Sequence, residues 1–436
     1  MRRWVLLGLV AVSLAHWPSD DHTGASAGAT SKRITLPGAT PLADPVPARP
    51  AEVAPTEQVV GAKLAASVAP VDSPSPSAPT TTAPKVTTTR PAPTSTSTPS
   101  TTTPTTARPT GATPLNLTPR PAPPGPLLGD GRQWRVSAAA APGGDGSAER
   151  PFRTIAEGLA VAQAGDAVVV GPGTYRERVT TVRGGHPDAP LHLVGDGARL
   201  EGDGDGRLLQ ILHSHVTVQG FDLSGADHLL WVQGAQGVRI LQNHLSGAGG
   251  ECMRLKYFSS GNEIAWNVIE DCGRRGFNVA AGKKNGEGIY IGTAPEQLDR
   301  NPTTVPDASN DNWVHDNVIS PRAECVDVKE AATGNRIEGN TCRGSQDPDG
   351  AGFSSRGRAT VFSENISVDG AGAGIRLGGD AEGDGILSVV RRNRLTGNRG
   401  YGVKVQRQPQ TLICGNDTTG NGQGPTNAPG DPSQPC

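Results

Sequence analysis

"RILQN" (239–243) returns as "EIAWN" (263–267), "WVHDN" (313–317), "RIEGN" (336–340), "TVFSEN" (360–365), "VVRRN" (389–393) and "LICGN" (412–416). Each copy holds an apolar residue, two variable positions and an asparagine. The asparagines, Asn243, Asn267, Asn317, Asn340, Asn365, Asn393 and Asn416, stand 24, 50, 23, 25, 28 and 23 residues apart, so one interval is a double step. A period of about 22 to 28 residues is too short for ankyrin or helical-pair repeats, and the leucine pattern of leucine-rich repeats is missing. Coils of a parallel β-helix fit, each pairing with its neighbours at a rise of about 4.8 Å. Asparagines at equivalent turns then hydrogen-bond as an amide ladder. Turn preference alone does not account for seven in register.

A second strand column aligns with the first. Its inward residues are Leu209, Leu230, Met253, Ile289, Val326, Phe353, Ile375 and Val403, followed two positions on by Ile211, Val232, Leu255, Ile291, Val328, Ser355, Leu377 and Val405. Period-2 alternation turns the residues between them outward: Gln210, Trp231, Arg254, Tyr290, Asp327, Ser354, Arg376 and Lys404. The next outward column runs Leu212, Gln233, Lys256, Gly292, Lys329, Arg356, Gly378 and Gln406. Two intervals, of 36 and 37 residues, predict loops around Phe277–Gly286 and Thr293–Asn310. Long loops on one edge of a solenoid commonly wall a binding groove.

The rest of the 436-residue chain sets the context. Forty basic and 42 acidic residues nearly balance, so nothing global argues for nucleic acid. Residues 1–15, "MRRWVLLGLVAVSLA", place two arginines before a 12-residue apolar-rich run, as in a secretory signal, and are too short to span a bilayer. Residues 16–130 are Pro/Thr-rich and low in complexity, predicting a disordered tether. Cys252, Cys272, Cys325, Cys342, Cys414 and Cys436 suit disulfides in an exported chain. Sequential pairing would close short loops, though six cysteines allow fifteen connectivities. The β-helix is expected over 131–424, with a tail at 425–436 and the protein secreted, or tethered at a cell surface, as a monomer. In "PFRTIAEGLAVAQAGDAVVVGPGTYRE" the spacing predicts a capping helix over Thr154–Ala164, then a strand over Ala167–Val170.

That capping text resembles secreted right-handed parallel β-helix proteins of the pectate-lyase-like superfamily. "GKKNGEGIYIGTAPEQ", "ECVDVKEAATGNRIEGNTC", "GFSSRG" and "GAGIRLGG" are similar to one bacterial branch of it, mostly of unassigned activity. The resemblance runs from about Trp134 to Asn416 and implies an all-β right-handed solenoid. The superfamily holds lyases, hydrolases, epimerases and non-catalytic proteins, so it does not name a reaction. The Asn-x-Asp, Asp-Asp and Gly-His-Gly set of polygalacturonase-type hydrolases does not occur together in the ordered region. The Asp-Pro-His of mannuronan epimerases and the Arg-x-x-Arg-x-Pro of common pectate lyases are missing too. What remains resembles chondroitinase B and related alginate lyases, which use a lysine and an arginine on neighbouring coils beside calcium-holding acids. The rest of that family's text is not found in this chain.

Carried over, the resemblance makes Lys329 the base. Arg356 would bind the sugar carboxylate or assist the leaving oxygen. Glu287, Glu324 and Asp327 are the expected Ca²⁺ ligands, and Tyr290, Arg376 and Trp231 the expected sugar contacts. Such lyases remove the proton α to a uronate carboxyl group, which requires that carboxylate to be neutralised. A lysine base needs a depressed pKa, which a neighbouring cation supplies and Asp327 would oppose. A plainer reading is a charged outer face with an exposed Lys329–Asp327 pair worth about 0–1 kcal/mol. Two functions follow: a secreted lyase acting on acidic polysaccharide, or a non-catalytic β-helix that binds extracellular carbohydrate from its tether. Elsewhere, "HSH" (His213, His215) puts two imidazoles on one strand face without a third ligand, and "EGDGDGR" (201–207) is a lone Gly-Asp turn. Asn365 and Asn416 match glycosylation sequons inside the ladder.

Overall fold

The structure, a computed structural model, describes residues 120–123 and 125–436. The signal expected at 1–15 and the tether through residue 119 lie outside the described residues. The chain winds as a parallel solenoid in which each coil contributes up to three short strands. A first sheet of eleven strands runs from Gln133–Val136 to Leu412–Cys414. A second, of nine, runs from Gly173–Tyr175 to Arg394–Thr396, and a third, of ten, from Val179–Thr180 to Gly424–Thr426. One coil reads Val216–Gln219, Asp222–Ser224, His228–Gln233. The aliphatic residues of all three sheets meet in one continuous core along the axis.

The seven asparagines occupy the corner between the first and second sheets, and all are buried. Each side-chain carbonyl after the first accepts the backbone N–H and the amide N–H of the asparagine one coil earlier, from Asn243→Asn267 at 2.9 and 3.1 Å to Asn393→Asn416 at 3.0 and 2.9 Å. The residue before each asparagine bends the chain through the left-handed region, as in Gln242 (φ 53°), Trp266 (55°), Asp316 (53°) and Arg392 (54°). That conformation costs a non-glycine residue about 1–2 kcal/mol, offset by amide bonds made away from water. A second ladder, Asn262→Asn312→Asn335, holds the corner leading into the first sheet. Its sequence trace is the asparagine one position before the first-sheet strand in "NEIAW", "NWVHD" and "NRIEG".

The third-sheet register agrees with the sequence alignment throughout, from Leu209↔Leu230↔Met253↔Ile289 to Val326↔Phe353↔Ile375↔Val403. The three disulfides join Cys252–Cys272, Cys325–Cys342 and Cys414–Cys436. Five expectations need correction. The 50-residue interval is one coil carrying both long loops, not a double step, because Asn267 bonds Asn317 directly and their strands pair. The capping helix covers only Ile155–Val161, because Thr154 and Glu157 form a capping box at its start and Ala162 is already extended. The packed region starts upstream of residue 131. Arg120 pairs with Asp316 at 3.1 Å, Trp266 Nε1 donates to its carbonyl at 3.1 Å, and Leu127 N donates to Gln219 at 2.8 Å. The C-terminal boundary at 424 falls inside a strand, Gly424–Thr426, and the residues after it fold back so that Asn416 N donates to Pro432 O. "HSH" is a turn, with His215 left-handed, because the strand ends at Ile211. Asn365 and Asn416 are buried ladder members, which bars them from glycosylation in the folded chain. No helix among the described residues is long and apolar enough to cross a membrane.

Two outcomes test this architecture. Asn340→Ala removes the acceptor for Asn317 and the donor to Val314 O and Asn365. It should cost about 3 kcal/mol in denaturant unfolding, because buried partners lose their bonds. The exposed Gln406→Ala should stay within about 0.5 kcal/mol. The second concerns His315, which lies between Asp316 (2.8 Å) and Glu263 (3.2 Å). Burial lowers its pKa, but the two carboxylates outweigh that and raise it. A raised folded pKa stabilises fully below the unfolded value of about 6.5 and is lost as pH rises through the folded value. The thermal-stability gap between wild type and His315→Gln should therefore narrow as pH rises above about 6.5.

Candidate functional site

The two long intervals flank one strand, Ile289–Ile291. Before it, Phe277–Asn278 and Lys283–Lys284 form an antiparallel hairpin around a 3-10 turn, closed by Gly282 at φ 69°. Lys284 Nζ latches this hairpin to Asp347 (3.0 Å) and Asp349 (2.8 Å), on the segment leading into the Phe353 coil. After the strand, a 3-10 helix, Pro295–Arg300, arches over the preceding coil, where Arg254 Nη2 donates to Gln297 at 2.7 Å. Asp307 pins the base of that loop by accepting from Tyr257 N and Phe258 N. Between these walls lies a cleft of about 500 Å³. Glu251, Glu287, Tyr290, Glu324, Asp327, Lys329, Arg356 and Arg376 all contribute to it.

The outward columns were expected in water, and at this site their central members are buried. Lys329 is 5% exposed, Asp327 2% and Tyr290 3%. The loops and the packing of long side chains on one another account for this. Lys329 Nζ donates to Asp327 Oδ2 at 2.5 Å and lies 4.3 Å from the Tyr290 ring centroid. Arg356 pairs with Glu330 at 3.0 Å, and Arg376 approaches Glu324 at 3.5 Å. The exposed-pair reading of Lys329–Asp327 is therefore set aside: breaking a buried pair costs several-fold more than breaking an exposed one.

Burial pushes Asp327 up, but Lys329, Arg356 and Arg376 outweigh it and hold the carboxyl below its usual range. Burial likewise disfavours the Lys329 ammonium, yet Asp327 outweighs that and raises its pKa. The depressed lysine pKa that base chemistry needs is thus opposed by Asp327 in the free protein. Burial and then Glu251 push Glu287 up to about 8, while burial and Asp327 push Glu324 up to about 7. Glu251, by contrast, is lowered, because His228 and Arg254 outweigh its burial.

Glu287, Glu324 and Asp327 bring carboxylate oxygens within 4.8 Å of one another. Asp327 Oδ1 and the Tyr290 hydroxyl are buried there without a hydrogen-bond partner among the described residues. Hard oxygen donors, closely spaced buried carboxylates and an orphaned carboxylate oxygen fit a divalent cation such as Ca²⁺. Seven of the eight residues singled out from sequence line this cleft. Trp231 does not: it is fully buried under Arg207, whose guanidinium sits 3.6 Å from its ring, and offers no face to a sugar. The sequence reading missed the Lys284 latch and Gln297. The doubled lysine in "GKKNGEG" was the signal for the first, and no motif marked the second. Asp205 and Asp227 are occupied by Arg275 rather than poised for a metal.

A family model described as "Periplasmic copper-binding protein (NosD)" matches residues 294–429. A search of curated proteins finds no match. Among solved structures, an alginate lyase from Paenibacillus sp. str. FPU-7 superposes on 68% of this chain and 99% of its own, with TM-score 0.53 and 18% identity. Pectate lyase Pel9A covers 66% and 80%, with TM-score 0.46 and 10% identity. The PL6 family alginate lyase AlyGC covers 59% and 39%, with TM-score 0.37 and 18% identity. At these identities the likeness is one of fold: the chain is a right-handed parallel β-helix.

Proposed function

We propose that this protein is an exported, monomeric lyase that cleaves uronate-containing polysaccharide by β-elimination in the cleft over Ile289–Ile291. The observation that carries the reading is the set of Lys329, Arg356 and three clustered carboxylates on adjoining coils of one walled cleft. The alginate lyase of like fold favours a carboxylated glycan. Copper, named in the matching family's description, favours imidazole and sulfur donors. Here the one three-residue donor cluster among the described residues is all carboxylate, and the cysteines are paired.

Glu287, Glu324 and Asp327 would hold Ca²⁺. When bound, it neutralises the sugar carboxylate and draws Asp327's charge away from Lys329. Lys329 Nζ, once deprotonated, takes the proton α to the carboxylate. The electron pair forms the C4–C5 double bond as the C4–O bond breaks, and Lys329 passes its proton to the departing oxygen. Arg356, one coil on, faces the sugar carboxylate or that oxygen. Arg376 and the rim of the Tyr290 ring position the chain.

Alginate, pectate, hyaluronan and chondroitin incubated with protein and Ca²⁺ should give ultraviolet absorbance from unsaturated product on at least one substrate, abolished by chelator. Lys329→Arg keeps a cation beside Asp327 but cannot lose its proton at working pH, so it should fold normally and lose about 10²–10⁴-fold activity. Activity unchanged in this variant sinks Lys329 as base. Silence across a broad panel, with carbohydrate binding retained, favours a non-catalytic binder.

A further inference from the structure

We propose that the cleft is blind toward the N-terminal end of the solenoid and takes the end of an anionic polymer. The remaining units leave toward the C-terminal end over Arg376 and Lys404. The proposal rests on the polyuronate reading above, but it concerns how the chain lies rather than what is done to it.

The two sides of the site differ in what covers the floor. Toward the N-terminal end, the outward columns continue as Arg254, Lys256 and Trp231, which are 2%, 3% and 0% exposed. Pro295–Arg300 stands over this stretch, joined to it by Gln297 on Arg254 and held down by Asp307 on Tyr257 and Phe258. A polymer passing that way would have to displace the 3-10 helix and uncover a stack of cations packed on an indole.

Toward the C-terminal end the floor opens beyond Ser354, which is itself buried. Ser354, Arg376 and Lys404 sit in register on successive coils, a rise of about 4.8 Å apart. The Arg376 side chain keeps 12% exposure, Lys404 is half-buried and Gln406 is exposed. The loop 378–387 on that side is tied back by Arg407, which donates to Asp380 O and Ala381 O. Lys284, Asp349 and Arg376 form a continuous rim, with Arg376 Nη1 donating to Asp349 O at 3.1 Å. Cations repeated at the coil spacing suit an anionic chain lying along the axis, and a wall at one end fixes where that chain must stop. Cleavage would then release short, uniform products from a chain end.

The test uses the wild-type chain and polyuronates of graded length. If the protein cleaves, products are sized from the first turnovers. One short oligomer appearing while viscosity persists supports the proposal, and a broad ladder with early viscosity collapse overturns it. If the protein does not cleave, the polymer survives and light scattering gives the stoichiometry. One protein per chain at every length supports end capture, whereas a number that grows with length, or no binding to any polyuronate, overturns it. End capture without double-bond formation would sink the lyase reading alone. Lys404→Gln should weaken binding of long oligomers about threefold, and an unchanged affinity overturns the assigned direction.

Discussion

The amide ladder at the first corner is the constraint on which the rest depends. Strand hydrogen bonds hold neighbouring coils together but would tolerate a slip. A side-chain amide bonded to the same residue one coil away tolerates none. Because strand alternation has a period of two, a one-residue slip would turn Val326 and Val328 outward and drive Asp327 and Lys329 into the core. The corner asparagines thus set the third sheet's register at a distance, and with it the addresses of the charged groups.

Given those addresses, chemistry follows from unequal compensation. Glu251, Glu287 and Glu324 precede successive third-sheet strands, so each faces the next at close to one coil rise. Two unit charges at that separation repel by roughly 3 kcal/mol at an effective dielectric of 20. Glu251 is relieved by His228 and Arg254. Glu324 has Arg376, at 3.5 Å. Glu287, in the middle, has Gly286 N as a donor, and Lys329, already bonded to Asp327, acts on it only at longer range. The proton is therefore held most firmly at the centre of the stack, where a divalent cation would relieve the most repulsion.

Much of this was legible in the sequence, and the parts that were not share a cause. The asparagine spacing gave the coil, period-2 alternation gave the inward residues, and both long intervals marked the loops that wall the cleft. Those signals are local and periodic. Burial of Lys329, Asp327 and Tyr290 was not legible, because it depends on where the aperiodic loops travel after leaving the solenoid. The same holds for Trp231, outward by alternation yet sealed by Arg207. Arg120 escaped notice because its partner Asp316 lies 196 residues away and its surroundings read as low-complexity. The second asparagine ladder was present in the text, masked by the longer run of the first.

The division of labour between coil and insertion explains why a generic repeat carries so particular a site. The aliphatic core recurs along the whole axis and the main ladder runs from Asn243 to Asn416, and neither singles out one coil. Both insertions flank Ile289–Ile291, one at each end of the strand, and they lean in opposite directions. The hairpin reaches forward to Asp347 and Asp349, and the 3-10 helix reaches back to Arg254. Outward residues of this coil and of the one before it, which would be solvated on an open face, are thereby desolvated. Removing water strengthens every interaction among them, so the same Lys–Asp pair that would be near-neutral on an open face becomes a strong and mutually dependent one. The proposed site is thus a property of the coil where the repeat is twice interrupted, held in position by the many coils where it is not.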